Sequence, residues 1–194
     1  MQTREIALIG LLAVVALLPG CFAAAAVGVG ATVLVAEDRR TTGVYIEDQN
    51  IELKVAGAIN DKYKKSEQVQ VWATSFNRYV LLCGAAPSES VKNDIGVTAL
   101  GVENVRNVQN DIAIAPPEGF GKRSADALIT TKVKSRFASA GKFQVNYVKV
   151  VTCSGVVFLM GLVTPKEADD ATEIARTTDG VEKVVRVFEI SEYP

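Results

Sequence analysis

The sequence predicts an α+β protein made of two copies of one αββαβ unit, each with a three-stranded mixed sheet packed on two helices. Two observations predict this fold. Apolar residues with helical and with strand spacing follow each other in the same order in both halves of the chain. Matching positions lie 78 residues apart, as Asp48 and Asp126 or Val55 and Val133 do. The repeat therefore indicates two small domains of one fold.

The composition excludes several classes of protein. The chain has 194 residues and no histidine, which excludes catalysis by histidine and most zinc or iron sites. Its 21 basic and 22 acidic residues give a net charge of −1, whereas a protein that binds nucleic acid carries a basic excess. The hydrophobic share of 48% is too high for a disordered chain. We expect no enzyme activity, no metal site and no nucleic-acid partner.

The amino terminus has the layout of a secretory signal peptide. A basic residue precedes an unbroken apolar run over residues 6–18, which a proline and a glycine close. A helix over this run is about 20 Å long and too short for a bilayer core of about 30 Å. We therefore predict that residues 1–20 are a signal peptide and that residues 21–45 form a neck before the first domain.

The end of this segment, Leu18-Pro19-Gly20-Cys21, resembles the lipobox of bacterial lipoproteins. The resemblance implies cleavage after Gly20 and covalent diacylglyceryl and acyl groups, such as palmitate, on Cys21. No other cofactor is expected. Phe22 stands where an aspartate would retain a lipoprotein in the inner membrane, so the outer membrane is favoured. The alternative is a transmembrane anchor that continues through the apolar residues 22–36.

The elements of the first copy follow from local patterns. Ile51, Val55 and Ile59 line one face of an amphipathic helix that follows Asp48. Alternating and β-branched residues predict strands over 69–73 and 79–84, the second closed by a glycine. Proline, serine and glutamate at 87–90 predict the start of a second helix, and residues 108–114 predict the last strand. The first domain then covers residues 46–115.

The second copy repeats this order after a linker over residues 116–123 that is rich in proline and glycine. Its opening helix follows Asp126, with Ile129, Val133 and Phe137 on the apolar face. Strands are predicted over 145–151, 156–161 and 185–190, and a helix is predicted to start at residues 164–167. The second domain covers residues 124–191.

This order, with a glycine closing the second strand and Gly-Val-x-x-Val before the third at 101–105 and 180–184, resembles the BON domain of bacterial envelope proteins. With the lipobox, nearly the whole mature chain resembles outer-membrane lipoproteins that carry two BON domains. The resemblance implies a protein that faces the periplasm and supports envelope integrity at the division site. It also implies binding of anionic phospholipid through the first helix of the second domain and contact with the outer-membrane protein assembly machinery.

The charge of that helix agrees with an anionic partner. Residues 121–142 hold six basic side chains against one acidic, whereas residues 46–65 hold four of each. Basic residues beside apolar ones are what binding to a phosphatidylglycerol-like surface requires. In the family a tryptophan stands at the position of Leu128, so this chain lacks that aromatic anchor. The predicted lipid-binding residues are Lys122, Arg123, Leu128, Ile129, Lys132, Val133 and Arg136.

Two alternatives to lipid binding stay open. The basic helix can be a solvated surface that acids elsewhere balance, among them Glu167, Asp169, Asp170 and Glu173. The protein can also be an adaptor that presents sheet edges, or the region of Trp72, Phe76 and Tyr79, to outer-membrane assembly or peptidoglycan-remodelling machinery.

Two cysteines remain besides Cys21. Cys83 and Cys153 do not occupy equivalent positions of the repeat, and the sequence favours buried free thiols at strand ends. The alternative is a disulfide, which an oxidising periplasm permits.

Overall fold

The structure, a computed structural model, describes residues 38–192, which belong to one compact unit. The predicted signal peptide, Cys21 and the neck up to residue 37 lie outside the described residues. The first repeat contains α1 (Thr42–Tyr63), β1 (Gln70–Phe76), β2 (Tyr79–Ala86), α2 (Glu89–Leu100) and β3 (Asn107–Ile114). The second contains α3 (Phe120–Ala140), β4 (Val148–Cys153), β5 (Val156–Val163), α4 (Pro165–Arg176) and β6 (Lys183–Ile190). The predicted α+β class and the αββαβ order are confirmed.

Each repeat forms a three-stranded mixed sheet with two helices on one face. The strand orders are β1-β2-β3 and β4-β5-β6, and the central strand runs antiparallel to the strand before it and parallel to the strand after it. Ile51 and Val55 of α1 pack on Val80 and Leu82 of β2. The equivalent core of the second repeat contains Val133, Phe137, Val157, Leu159 and Ala171. The helical spacing in the sequence therefore identified the buried faces correctly.

Several boundaries differ from the sequence expectation. Helix α1 begins at Thr42, where the Thr41 side chain accepts the Val44 N–H. Helix α3 begins at Phe120, inside the predicted linker. Residues 145–147 form a turn of 3₁₀ helix, and β4 begins only at Val148. The expected starts of α2 and α4 are confirmed, because Ser88 and Thr164 cap these helices.

The glycines of the central strands lie within them and do not end them, which corrects the prediction. Strand β2 continues two residues beyond Gly84, and β5 continues two residues beyond Gly161. A Cβ atom at Gly84 would lie 2.0 Å from the Gln70 carbonyl oxygen, and one at Gly161 would lie 2.4 Å from that of Tyr147. The glycines thus permit the neighbouring chain to approach closely.

A buried aspartate on the first helix of each repeat holds the turn between its first two strands. These turns have positive φ at both central residues, 51° and 64° at Asn77 and Arg78. The Asp48 carboxylate accepts both of their backbone N–H groups at 2.8 and 2.7 Å. In the second repeat the Asp126 carboxylate accepts the backbone N–H groups of Ser154 and Gly155, each at 2.9 Å.

The two domains pack against each other through the sheet faces that their own helices leave open. Phe76 and Leu81 of the first domain form one buried cluster with Phe158 and Met160 of the second. Polar contacts surround this cluster, since the Lys149 ammonium donates to Glu52 at 2.7 Å and Asn77 donates to Glu189 at 2.9 Å. The two copies therefore pack directly on each other.

Two adjacent arginines before α1 bind different domains. Arg40 donates to the buried Asp48 at 2.8 Å, and its guanidinium lies 3.9 Å from the ring centre of Phe76. Arg39 donates to Glu167 at 2.6 Å and lies 4.0 Å from the ring centre of Tyr147 in the second domain. The segment that enters α1 therefore contributes to the contact between the domains.

Cys83 and Cys153 form a disulfide that joins the domains, so the prediction of free thiols is wrong. Their Cα atoms are 6.4 Å apart, within the range that a disulfide spans. Both cysteines lie on the sheet faces that meet at the domain interface, which the sequence does not reveal. Their inequivalence within the repeat has no bearing on pairing, because the bond crosses between the two copies.

Substitution Asp126→Ala leaves two backbone donors of the hairpin turn without their partner. Because a buried donor without a partner is costly, we expect the free energy of unfolding to fall by about 2 kcal/mol. Urea denaturation measures this change. Asp169→Ala serves as the control, since that side chain is 70% exposed and, among residues 38–192, bonds only to Arg186. Equal effects of the two substitutions would contradict the role assigned to Asp126.

Replacement of both cysteines by serine, Cys83→Ser with Cys153→Ser, removes a cross-link between positions 70 residues apart. The loss of this constraint on the unfolded chain lowers the free energy of unfolding by about 4 kcal/mol. Urea denaturation measures the difference, and the parent protein after reduction should match the variant. Mass spectrometry of the unreduced protein provides the direct check, and separate Cys83 and Cys153 peptides would disprove the bond.

Candidate functional site

Helix α3 opens the second domain and presents two large apolar side chains to solvent. Its inner face carries Asp126, Ile129, Val133 and Phe137, all buried. Phe120 in the first turn is 78% exposed, and Leu128 in the middle of the helix is 64% exposed. Burial of either side chain from water would be favourable, so these residues form the centre of a candidate contact surface.

Leu128 lies between two shallow grooves. One groove, of about 440 Å³, runs between α3 and the turn at Ser154 and Gly155. The other, of about 430 Å³, runs between α3 and the loop that carries Thr178 and Asp179. Leu128 and Lys132 line both, so an apolar and a basic side chain stand together at the centre of this surface.

Five of the six basic residues of segment 121–142 fall into two groups, those with an ion-pair partner and those without. Lys132 pairs with Asp179 at 2.7 Å, Lys142 pairs with Asp170 at 2.6 Å, and the Lys122 ammonium lies 4.0 Å from Glu118. Arg123 and Lys134 have no ion-pair partner among residues 38–192. Exposed pairs of this kind are weak and exchange readily with other anions. The positive charge of the segment therefore remains available at the surface.

The ion pairs on this surface lower the pKa of their carboxyl groups. The hydrogen bond from Lys132, together with its charge, holds the pKa of Asp179 below the usual range of an aspartate. Hydrogen bonds from Lys142 and Lys166 do the same for the pKa of Asp170. Both carboxylates thus stay ionised to a more acidic pH than an isolated aspartate would.

Three of the predicted lipid-binding residues have other roles in the structure. Ile129 and Val133 lie in the core between helix and sheet, so they are not available at the surface and that prediction is wrong for them. Arg136 donates to the carbonyl oxygen of Ile174 and to the Thr178 hydroxyl, both at 2.8 Å. It holds α3 to the end of α4. Arg136 is nevertheless exposed, as are Lys122, Arg123, Leu128 and Lys132.

Two functional features were missed in the sequence. Phe120 was assigned to the linker, although an aromatic residue two positions before Lys122 could have been recognised as part of the basic helix. The role of Asp48 and Asp126 was also missed. Its signal is the recurrence of an aspartate at an otherwise apolar helix face, a fixed distance before a turn.

Comparison with known proteins decides the family. The model of the BON domain matches residues 47–116 and 125–192. The chain belongs to the BON domain family.

Relatives of this two-BON-domain protein align over most of its length. It is 39% identical over 171 residues to the outer membrane lipoprotein DolP of Haemophilus influenzae. The alignment covers 88% of this chain and 89% of that protein. It is 35% identical over 151 residues to the 21 kDa hemolysin of Actinobacillus pleuropneumoniae, with 78% of each covered. It is 29% identical over 145 residues to the osmotically-inducible protein Y of Escherichia coli, with 73% and 72% covered.

The first BON domain provides an internal comparison for α3. Asn50 of α1 stands at the position equivalent to Leu128, and Thr42 at that of Phe120. Lys54 is equivalent to Lys132 and likewise pairs with an acid in the loop after the second helix of its domain, Glu103, at 3.1 Å. The lysine–carboxylate ion pair is thus common to both BON domains. The exposed apolar residues Phe120 and Leu128 have polar equivalents in the first domain.

The region of Trp72, Phe76 and Tyr79 does not form one exposed surface. Phe76 is buried at the domain interface, and the Tyr79 hydroxyl accepts a hydrogen bond from Asn107 at 3.2 Å. Trp72 is 38% exposed and lines a cavity of about 340 Å³ between the BON domains, beside the disulfide. Of the three aromatic residues, Trp72 remains as a candidate contact.

Two absences concern the described residues. Residues 38–192 contain no group of three or more acidic or cysteine side chains arranged to hold a metal ion. No helix within this range is long and apolar enough to cross a membrane.

The pKa of Asp179 provides a test of the Lys132 contact. Lys132→Gln removes the positive charge, so the pKa of Asp179 should rise toward the ordinary value of an aspartate. Titration of the side-chain carboxyl carbons by NMR measures it. Asp170, which pairs with Lys142 and Lys166, is the control and should keep its lowered pKa. An unchanged pKa at Asp179 would show that the pair does not form in solution.

Proposed function

We propose that this two-BON-domain protein is an outer-membrane lipoprotein, anchored through lipidated Cys21 and facing the periplasm, that binds anionic phospholipid through α3. In this role it supports envelope integrity at the division site. The observation that carries the proposal is the pair of exposed apolar residues, Phe120 and Leu128, among basic side chains on the first helix of the second domain. The equivalent positions of α1 hold Thr42 and Asn50. The name of the Haemophilus relative supports the anchoring, and the lipobox supplies the attachment residue.

The physical basis is an interfacial contact. Leu128 and Phe120 enter the boundary between headgroups and acyl chains, while Lys122, Arg123 and Lys132 remain outside among the phosphates. Each basic residue near an anionic surface contributes about 1 kcal/mol. This affinity is modest, but an acylated amino terminus raises the local concentration of the surface so that a weak contact suffices.

The buried members of the predicted set support this contact indirectly. Ile129 and Val133 fix the inner face of α3 against the sheet, which directs Leu128 outward. Arg136 fixes the helix to the end of α4. The surface is thus held in one orientation before lipid binds, and little conformational entropy is lost on binding. We infer no catalytic role and no cofactor besides the covalent lipid.

A second candidate function is that of an adaptor for outer-membrane assembly or peptidoglycan-remodelling machinery. The observation that favours it is Trp72, which is partly exposed at a cavity between the two domains. Photo-crosslinking in cells from position 72 and, separately, from position 128 distinguishes the two functions. If the protein binds lipid, we expect phospholipid adducts at position 128. If it is an adaptor, we expect a protein adduct at position 72.

Leu128→Glu tests lipid binding in a fragment of residues 38–194, which lacks the anchor and whose residues 38–192 belong to one compact unit. We expect affinity for phosphatidylglycerol vesicles to fall at least about tenfold, because an apolar contact is lost and a negative charge is added. Vesicle co-sedimentation measures the affinity. The matched control is Leu53→Glu on α1, where the leucine is 73% exposed. It introduces the same charge outside the proposed surface and should leave affinity unchanged.

A change in the opposite direction completes the test. Asp179→Asn releases Lys132 from its ion pair, so affinity for phosphatidylglycerol should rise about fivefold, equivalent to about 1 kcal/mol. Vesicles of phosphatidylcholine should show little binding by any variant. Equal losses for Leu128→Glu and Leu53→Glu would place the contact elsewhere and refute the proposed surface.

A further inference from the structure

The outer edge of the first sheet carries no neighbouring strand in the described part of the chain. Strand β3 pairs with β2 on one side only. The backbone N–H groups of Val108 and Ile112 donate to the side chains of Asn107 and Asn110 of the same strand, at 2.8 and 3.4 Å. These two donors are engaged only by side chains of the strand itself, which an added backbone strand can displace.

A groove of about 410 Å³ lies beside this edge, between β3 and α2. On the helix side it is lined by Val97, which is 71% exposed, and by Leu100, which is 53% exposed. Gly96 forms the base of this part of the groove, where a Cβ atom would lie 2.7 Å from the Asn110 amide nitrogen. None of the side chains that line the groove is charged.

The second BON domain has charged residues at the same positions. In this part of the repeat the two domains align at an offset of 76 residues. This is the separation of the helix caps Ser88 and Thr164 and of the strand ends Ile114 and Ile190. At this offset Val97 and Leu100 correspond to Glu173 and Arg176, and Asn93 and Asn110 correspond to Asp169 and Arg186.

These four charged residues pair with one another. Arg176 donates to Glu173, and Arg186 donates to Asp169 at 2.8 Å. Ion pairs therefore occupy in the second domain the place that is uncharged and apolar in the first. Since both domains share one fold, packing does not require an apolar pair here, and exposed Val97 and Leu100 need another explanation.

We propose that the groove between β3 and α2 binds an extended, uncharged segment of a partner protein. The segment adds a fourth strand to the first sheet and places an apolar side chain against Val97 and Leu100. The free edge selects an extended backbone, because that conformation alone supplies donors and acceptors along its whole length. The groove selects an uncharged side chain, because a charge would be desolvated there without a partner.

This site is independent of the lipid-binding function proposed above. It lies on the first domain, and no basic side chain lines the groove to attract an anionic headgroup. Asn110 donates to the Lys92 carbonyl oxygen at 2.9 Å, which holds its side chain across Gly96 and keeps the groove in shape. A membrane is the competing occupant, and the experiment includes it.

The experiment uses the full chain in detergent micelles and a fluorescein-labelled, end-capped peptide of six residues. The peptide alternates threonine and valine and carries one central leucine, so it is extended and uncharged. Fluorescence anisotropy measures its affinity, and hydrogen exchange with mass spectrometry locates it. We expect slower exchange over residues 107–114 and no change over residues 183–190, the equivalent strand of the second domain.

Val97→Glu combined with Leu100→Arg rebuilds in the first domain the ion pair found in the second. We expect at least about tenfold weaker peptide binding with an unchanged Tm, because the second domain folds with this pair. Leu53→Glu, which adds a negative charge to the same domain outside the groove, and Leu128→Glu on the lipid surface should bind the peptide as the parent does. The second of these separates the two proposals.

A second probe does not depend on how a variant folds. Methylation of the backbone nitrogens on one edge of the peptide removes its donors, and binding should be lost if a strand is added. The proposal is overturned if exchange over residues 107–114 is unchanged by the peptide. It is equally overturned if the methylated peptide or the double variant binds normally, or if vesicles of phosphatidylglycerol protect β3 in place of the peptide.

Discussion

A buried carboxylate that holds a hairpin turn is the interaction on which each domain depends. Ionised groups are costly to remove from water, and Asp48 is fully buried. Its cost is offset by four donors, the backbone N–H groups of Asn77 and Arg78, the Ser75 hydroxyl and the Arg40 guanidinium. Because the aspartate sits on the first helix, it joins the helix, the first strand of the hairpin and the turn at one point.

The same contact determines the strand register in both domains. A two-residue turn with positive φ at both positions matches the twist of an antiparallel pair, but Arg78 is a residue that rarely adopts it. The carboxylate compensates by binding both N–H groups of the turn. Once the hairpin is in register, Val80 and Leu82 face the helices, whereas Leu81 and Cys83 face the other domain. The core and the domain interface therefore follow from one arrangement.

Packing of the two sheets face to face leaves the helices of both domains on the outside. The two repeats are alike inside, where Ile51 and Ile129 or Val55 and Val133 fill the same places. They differ at outer positions that packing does not constrain. Leu128 of the second domain is equivalent to Asn50 of the first, and Val97 of the first is equivalent to Glu173 of the second. These differences between copies of one fold are the basis of both proposals, that of a lipid contact on the second domain and that of a strand-binding groove on the first.

The sequence by itself determined the fold class, the order of elements and the inner faces of the helices, because these depend on local spacing and on turn residues. The basic character of α3 was also visible, because charge can be counted along the chain. Only the tertiary structure decided that Leu128, next to Ile129 of the inner face, is largely exposed, since the exposure of a side chain beside that face depends on the sheet and loops packed against the helix. The pairing of Cys83 with Cys153 and the uncharged groove beside β3 were decided in the same way. Both depend on which faces meet and which edge stays open, and that is a property of the packed chain.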